Sequence, residues 1–202
     1  MSFIGSFAIV SSSSDSTTPA EPPFPDIPIT HHSFAAIKWA RDNRIFGGIN
    51  GNFVPDGTLT RACFALILWR FHGQPVTEPN DAFSDIGHHQ LNTRRAIAWA
   101  QSANLVTGSD GRFEPDNQIS RQSMVLILFR YSQMVGADSS FDIGALDQFD
   151  DRSAVANVAR NAVAWAAGTN LVRGSGGNFD PTANITRASV VLILHRYVNQ
   201  FG

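Results

Sequence analysis

One pattern is written three times in this chain with unchanging internal spacing, and it constrains the fold more than any other feature. Trp39, Trp99 and Trp165 are each followed 9 residues later by glycine (Gly48, Gly108, Gly174) and 14 later by phenylalanine (Phe53, Phe113, Phe179). Arginine follows 22 residues later (Arg61, Arg121, Arg187) and again 31 residues later (Arg70, Arg130, Arg196). The distance between units is 60 and then 66 residues, so insertions fall at the joints, where GQPVTEPNDA and GADSSFDIGALDQ read as loops. Self-similarity of this kind marks one supersecondary unit repeated, each copy burying its apolar face against its neighbours. The repeats are expected over about 24–77, 83–136 and 149–202.

Each unit opens with Phe-x-Asp (Phe24 and Asp26, Phe83 and Asp85, Phe149 and Asp151) and then runs into a helical segment carrying the tryptophan. Ser33, then Asn92 or Thr93, then Ser153 are the candidate N-caps. The helices are expected to end at Arg44, Asn104 and Asn170, where asparagine tolerates the left-handed backbone that closes a helix. The segments GINGNF, GSDGRF and GSGGNF follow, with the tight-turn pairs Asn50-Gly51, Asp110-Gly111 and Gly176-Gly177. One carboxylate per loop is too few for calcium, so these read as short hairpins or turns.

The second helix of each unit is the most apolar part of the chain: TRACFALILWRF, SRQSMVLILFRY and TRASVVLILHRY. Thr60, Ser120 and Thr186 are good N-caps, placing the arginines at the first helical position. Helices this apolar bury more than one face, which in one chain requires burial against one another. The predicted fold is all-α, mostly helical with short turns, with three repeats in pseudo-threefold order around a central three-helix bundle.

The formal charge of −2, from 15 basic and 17 acidic side chains, gives bulk attraction to neither nucleic acid nor an anionic membrane. No stretch reaches the roughly 20 apolar residues of a membrane span. Residues 1–10 are mildly apolar but lack the basic flank of an export signal, and SSSSDSTTPAEPP over 11–23 cannot bury enough apolar area to order itself. Residues 1–23 therefore read as an arm or linker. The lone cysteine, Cys63, excludes an intramolecular disulfide, and its counterparts Ser123 and Ser189 mark it as a small filler rather than a nucleophile.

Arg61, Arg121 and Arg187 carry the strongest functional signal, because a cation at a helix N-terminus sits in the unfavourable half of the macrodipole and its threefold recurrence asks for a reason. Beside free backbone N–H groups, a guanidinium forms a site for a carboxylate or phosphate. The alternative is pairing with the protein's own aspartates, Asp26, Asp85 and Asp151. On physical grounds the two stand about even, and both hold if the aspartate orients the arginine toward a ligand. In the ligand reading, alanine at these arginines weakens binding with little change in stability; in the pairing reading it costs stability.

The three tryptophans lie at helical spacing from Ile37, Ile97 and Val163 and read as core rather than sugar-stacking platforms. Arg70, Arg130 and Arg196, late in the second helices, read as structural. The pairs His31-His32 and His88-His89 have no cysteine or acidic cluster beside them in the sequence, so no metal and no cofactor is assigned. No nucleophile elbow, paired helix histidines, phosphate loop or dinucleotide fingerprint is present, and no catalytic residue is assigned.

Taken together, Phe-x-Asp, helix, Gly-x-x-Gly-x-Phe-x-Pro (with Pro55, Pro115 and Pro181), Thr-Arg-Ala, apolar helix and terminal arginine resemble the S-layer homology repeat, three times over residues 24 to 200. The resemblance implies a three-pronged spindle about a central helical bundle, located at the cell wall or S-layer. It also implies non-covalent anchoring to an anionic cell-wall polysaccharide, often with pyruvylated sugars, whose carboxylate meets the motif arginine in grooves between repeats. Carried over residue by residue, the ligand site comprises Arg61, Arg121 and Arg187 with Asp26, Asp85 and Asp151 and the glycines Gly48, Gly108 and Gly174. This moves the ligand reading of the arginines ahead of the pairing one. The chain departs from the Thr-Arg-Ala-Glu motif, with Cys63, Ser123 and Ser189 in place of glutamate, Gln122 in place of alanine, and His32, Asn92 and Val158 near the usual first-helix tryptophan. These changes bear on the ligand rather than the fold. The rival function is a self-assembling structural or coat protein, of a cell-surface layer or a virion, tied together through the N-terminal arm.

Overall fold

The computed structural model describes residues 21–80 and 82–202. The arm expected over 1–23 thus lies almost wholly outside the described residues. Among these, six α-helices and three short 3-10 turns account for the regular structure, with no strand longer than an isolated bridge. Each repeat contributes two α-helices: α1 (Phe34–Asp42) and α2 (Arg61–Phe71), α3 (Leu91–Ser102) and α4 (Arg121–Met134), α5 (Arg160–Gly168) and α6 (Arg187–Phe201).

The second helices begin where their caps dictate. The Thr60, Ser120 and Thr186 side chains accept hydrogen bonds from the N–H groups of Cys63, Ser123 and Ser189, three residues on. The first helices begin less regularly. Ser33 holds the N-cap position of α1 without a cap hydrogen bond, Gln90 holds that of α3, and α5 starts only at Arg160. Asn92 and Thr93 therefore lie inside α3, and Ser153 lies in a 3-10 turn over Arg152–Ala154. The 66-residue joint is not all loop either: Ile143–Gln148 forms a 3-10 turn that seats buried Leu146 against α5. Arg44, Asn104 and Asn170 adopt φ of 56°, 55° and 58°, so the left-handed residue stands at the expected place in all three repeats, arginine included.

The turns after the first helices are two-residue hairpins. Ile49 pairs with Asn52, Ser109 with Arg112 and Ser175 with Asn178. Both central residues have positive φ in each, 49° and 84° at Asn50 and Gly51, which is the geometry Asn-Gly favours.

Packing between repeats follows a cyclic rule. Helix α2 of the first repeat packs on α3 of the second, α4 on α5 of the third, and α6 on α1 of the first, so the chain closes on itself. Phe71, Tyr131 and Tyr197, at equivalent places in the second helices, meet with ring centroids 5.6, 6.0 and 6.0 Å apart. They define the axis at which the three second helices converge, at distances where aromatic pairs attract beyond their buried area. The tryptophans point inward as expected: Trp165 and Trp99 are buried, while Trp39 is half-buried against His195.

Candidate ligand-binding grooves

The three helix-start arginines do the same thing in each repeat. The Nε of Arg61 donates to the carbonyl of Phe113 (2.9 Å), that of Arg121 to Phe179 (2.7 Å) and that of Arg187 to Phe53 (2.6 Å). Their Nη2 atoms reach the carbonyls of Thr107, Arg173 and Gly47 at 3.4, 3.5 and 2.8 Å. Each guanidinium also lies over the phenylalanine ring whose carbonyl it holds, 4.7 to 5.1 Å from the centroid. Every arginine thus reaches from the second helix of one repeat to the hairpin of the next.

Asp26, Asp85 and Asp151 hold those same phenylalanines from the other side. In each, one carboxylate oxygen accepts from the phenylalanine N–H at 2.8–2.9 Å and the other from the following N–H at 2.7–2.8 Å. The following residues, Val54, Glu114 and Asp180, sit at φ near 57°, a backbone shape that costs a valine or other branched side chain and that the carboxylate clamp maintains. Burial pushes the Asp26 and Asp85 carboxyls up, yet the hydrogen bonds from the N–H groups of Phe53 and Val54 and of Phe113 and Glu114 hold both below the ordinary value. Arginine and aspartate therefore meet through a shared turn, not through a direct ion pair. Gly48, Gly108 and Gly174 lie beneath it: a Cβ there would come within 3.0, 2.4 and 2.6 Å of the carbonyls of Asn52, Arg112 and Asn178, and would meet Phe24, Phe83 and Phe149 as closely.

The helix N-termini are not open donors. The N–H groups of Arg61 and Ala62 donate to the carbonyls of Asn117 and Pro115, those of Arg121 and Gln122 to Ala183 and Pro181, and those of Arg187 and Ala188 to Gly57 and Pro55. With the third N–H taken by the cap, the backbone half of the anticipated anion site is consumed by the next repeat. What remains for a ligand is side-chain charge.

That charge is concentrated in grooves. In one, Arg61 and Arg130 face a floor of Val106, Leu126 and Ile127, rimmed by Thr107 and Ser123. In its counterpart, Arg121, Arg173 and Arg196 face Val172, Leu192 and Ile193 beside Ser189. No acidic side chain lines either. Arg130 and Arg196 also support structure, donating to the carbonyls of Leu105 (3.1 Å) and Leu171 (3.0 Å). Burial draws the guanidinium pKa down at Arg61 and Arg121, opposed by Glu114 and Asp85 and by Asp180 and Asp151 respectively; an arginine stays charged regardless. The inward-facing positions Val106 and Val172 and the extra cation Arg173 escaped the sequence reading, although the first two stand 7 residues after each tryptophan. The equivalent position in the first repeat is Phe46, which lies 4.8 Å under the Arg187 guanidinium and leaves that arginine buried. Cys63 is exposed rather than packed as a filler.

A ring of three interlocked helical repeats, with cationic grooves where one repeat meets the next, defines a repeat-built surface-binding module. The S-layer homology domain matches at residues 23–65, 82–125 and 148–191, and the chain belongs to that family, as a cell-surface anchoring module. It is 30% identical over 183 residues to an amylopullulanase of Thermoanaerobacterium thermosulfurigenes, covering 84% of this chain and 10% of that protein. It is 24% identical over 181 residues to the S-layer protein sap of Bacillus anthracis (89% of this chain, 22% of that one). With a cellulosome-anchoring protein of Acetivibrio thermocellus it shares 28% identity over 114 residues (53% and 25%). The chain thus spans a quarter or less of the length of these relatives. Among the described residues no helix is long and apolar enough to cross a membrane.

Proposed function

We propose that residues 24–202 act as one non-catalytic unit that binds an anionic cell-wall polysaccharide through the two open grooves, at Arg61 with Arg130 and at Arg121 with Arg173 and Arg196. The observation that carries this reading is two clusters of guanidinium groups over apolar floors with no acidic side chain between them. A guanidinium fork suits a carboxylate, and an apolar floor suits the ring face of a sugar. The carboxylate of a pyruvylated sugar has that chemistry. Where the family motif carries glutamate, Ser123 and Ser189 line the grooves, removing a negative charge and favouring a more acidic polymer. The remoteness of the anchoring relatives' full length leaves any cargo domain outside this reading.

The test is co-sedimentation of the chain with purified cell-wall polysaccharide before and after chemical removal of its acidic groups. Binding that disappears with those groups, and in the double variant Arg61→Ala, Arg121→Ala, is expected. Undiminished binding of that variant to the intact polymer overturns the assignment.

A further inference from the structure

We propose that His88, His89 and Asp116 form a divalent transition-metal site specific to the second repeat. His88 and His89 sit in the segment leading into α3, and the fold brings them to Asp116, 28 residues away from His88, in the Pro115–Asn117 turn before α4. Asp116 supplies one oxygen to each ring: Oδ2 lies 3.2 Å from His88 Nε2 and Oδ1 lies 3.5 Å from His89 Nε2. All three groups offer ligand atoms within 4.8 Å of one another. Ligand atoms around a tetrahedral zinc stand about 3.3 Å apart, given metal–nitrogen bonds near 2 Å, so small side-chain adjustments admit an ion.

A second observation points the same way. The His89 Nε2 atom is buried and makes no hydrogen bond among the described residues, facing only the carboxylate at 3.5 Å. A buried imidazole nitrogen without a partner is costly, and a metal ion satisfies it directly. His88 and Asp116 keep 63% and 69% of their side chains exposed, so an ion reaches the site from solvent and open coordination positions remain. The surrounding cleft holds the carboxylates of Asp85, Glu114 and Asp116 against the single cation Arg112, which is 3.6 Å from Asp85. Two imidazoles with one carboxylate favour zinc, nickel or copper over calcium or magnesium.

The other repeats lack the set. Counted from Phe-x-Asp, Ile29 and Thr30 replace the histidines in the first repeat, which keeps Asp56, while Ala154, Val155 and Thr182 replace all three in the third. The pair His31-His32 stands further along its segment, and His31 Nδ1 already accepts from the Ser33 N–H at 3.1 Å.

The test uses the full chain without an affinity tag in a Cys63→Ser background, because that exposed thiol competes for metal. Zinc is titrated calorimetrically and cobalt(II) is followed by its absorption bands. One equivalent of metal is expected to bind, with affinity lowered at least about tenfold in each of His88→Ala, His89→Ala and Asp116→Asn. The double variant His31→Ala, His32→Ala should bind as the parent does. Circular dichroism confirms folding of each variant, and the exposed Asp116→Asn decides the matter should His89→Ala unfold. Absence of binding at millimolar zinc, or binding that all three variants share with the parent, overturns the site.

Discussion

The grooves built on Arg61 and Arg121 and the joint built on Arg187 use the same residues in the same order, yet only the first two stay open. All three arginines hold the next repeat's phenylalanine carbonyl. At the first two, a valine seven residues after the tryptophan leaves space beside the guanidinium; at the third, Phe46 fills it, sandwiching Arg187 between two rings and burying it. Arg187 also makes the shortest pair of contacts, at 2.6 and 2.8 Å. It is the arginine that closes the ring, joining the last repeat to the first over 134 residues of chain. A site that seals a ring gains from dryness, because hydrogen bonds strengthen where water is excluded. A site that binds a polymer must keep its charge within reach of solvent.

Removing the closure altogether should have the largest effect. Deletion of residues 137–202 strips α4 of α5 and α1 of α6, leaving apolar faces with no cover, and is expected to yield an aggregating fragment. A soluble two-repeat protein with a cooperative thermal transition would show that the repeats do not depend on one another.

Within the intact chain, Arg187→Ala should cost more stability than either counterpart. The loss of two buried charge-assisted hydrogen bonds is expected to cost about 1.5 to 3 kcal/mol each. At half-buried Arg61 and Arg121 the cost should be nearer the lower end for the pair of bonds. Arg61→Ala and Arg121→Ala should instead weaken polysaccharide binding by about 1.5 to 3 kcal/mol per groove, while Arg187→Ala leaves binding by the folded fraction unchanged. Urea melts beside binding isotherms for the three variants measure both quantities; equal stability losses at all three positions would erase the contrast. The expectation of unaltered stability at all three arginines does not survive their hydrogen bonds to the neighbouring repeat.

Phe46→Val is the converse test. It copies the open grooves into the closed joint and is expected to raise the number of bound saccharide fragments from two to three while lowering the melting temperature. An unchanged stoichiometry would show that space beside the arginine is not what admits ligand.

Acidification gives the smallest and most graded effect. Burial holds His72 and His195 below the ordinary imidazole value of 6.5, so the unfolded chain takes up protons first and stability falls as pH drops through that value. Asp26 and Asp85 lie below 3.8, so a second loss begins as the unfolded carboxylates protonate and ends below the folded values. Melting temperature against pH should show both limbs, and Asp85→Asn should shrink the second; a curve flat from neutrality to pH 3 would remove the aspartate clamps from the account.

The repeats, the caps of α2, α4 and α6, the left-handed helix ends and the inward tryptophans were legible in the sequence, because each depends on short-range rules: side-chain periodicity, a hydroxyl three residues from an N–H, a backbone shape that asparagine or glycine tolerates. The starts of α3 and α5 were not, since Gln90 and Ala159 offer no side-chain cap and the 3-10 turns before α5 are selected by packing. The same divide runs through the grooves. Arg61, Arg121 and Arg187 stood out by recurrence, but the spacing within a repeat is silent on the neighbour each one touches. Only ring closure decided that their carbonyl partners come from the next repeat, that the helix N–H groups are spent there, that Phe46 shuts one joint, and that Asp116 meets His88 and His89. Those are contacts between segments 27 to 140 residues apart, set by how the second helices converge on Phe71, Tyr131 and Tyr197, and no local pattern encodes a distance of that kind.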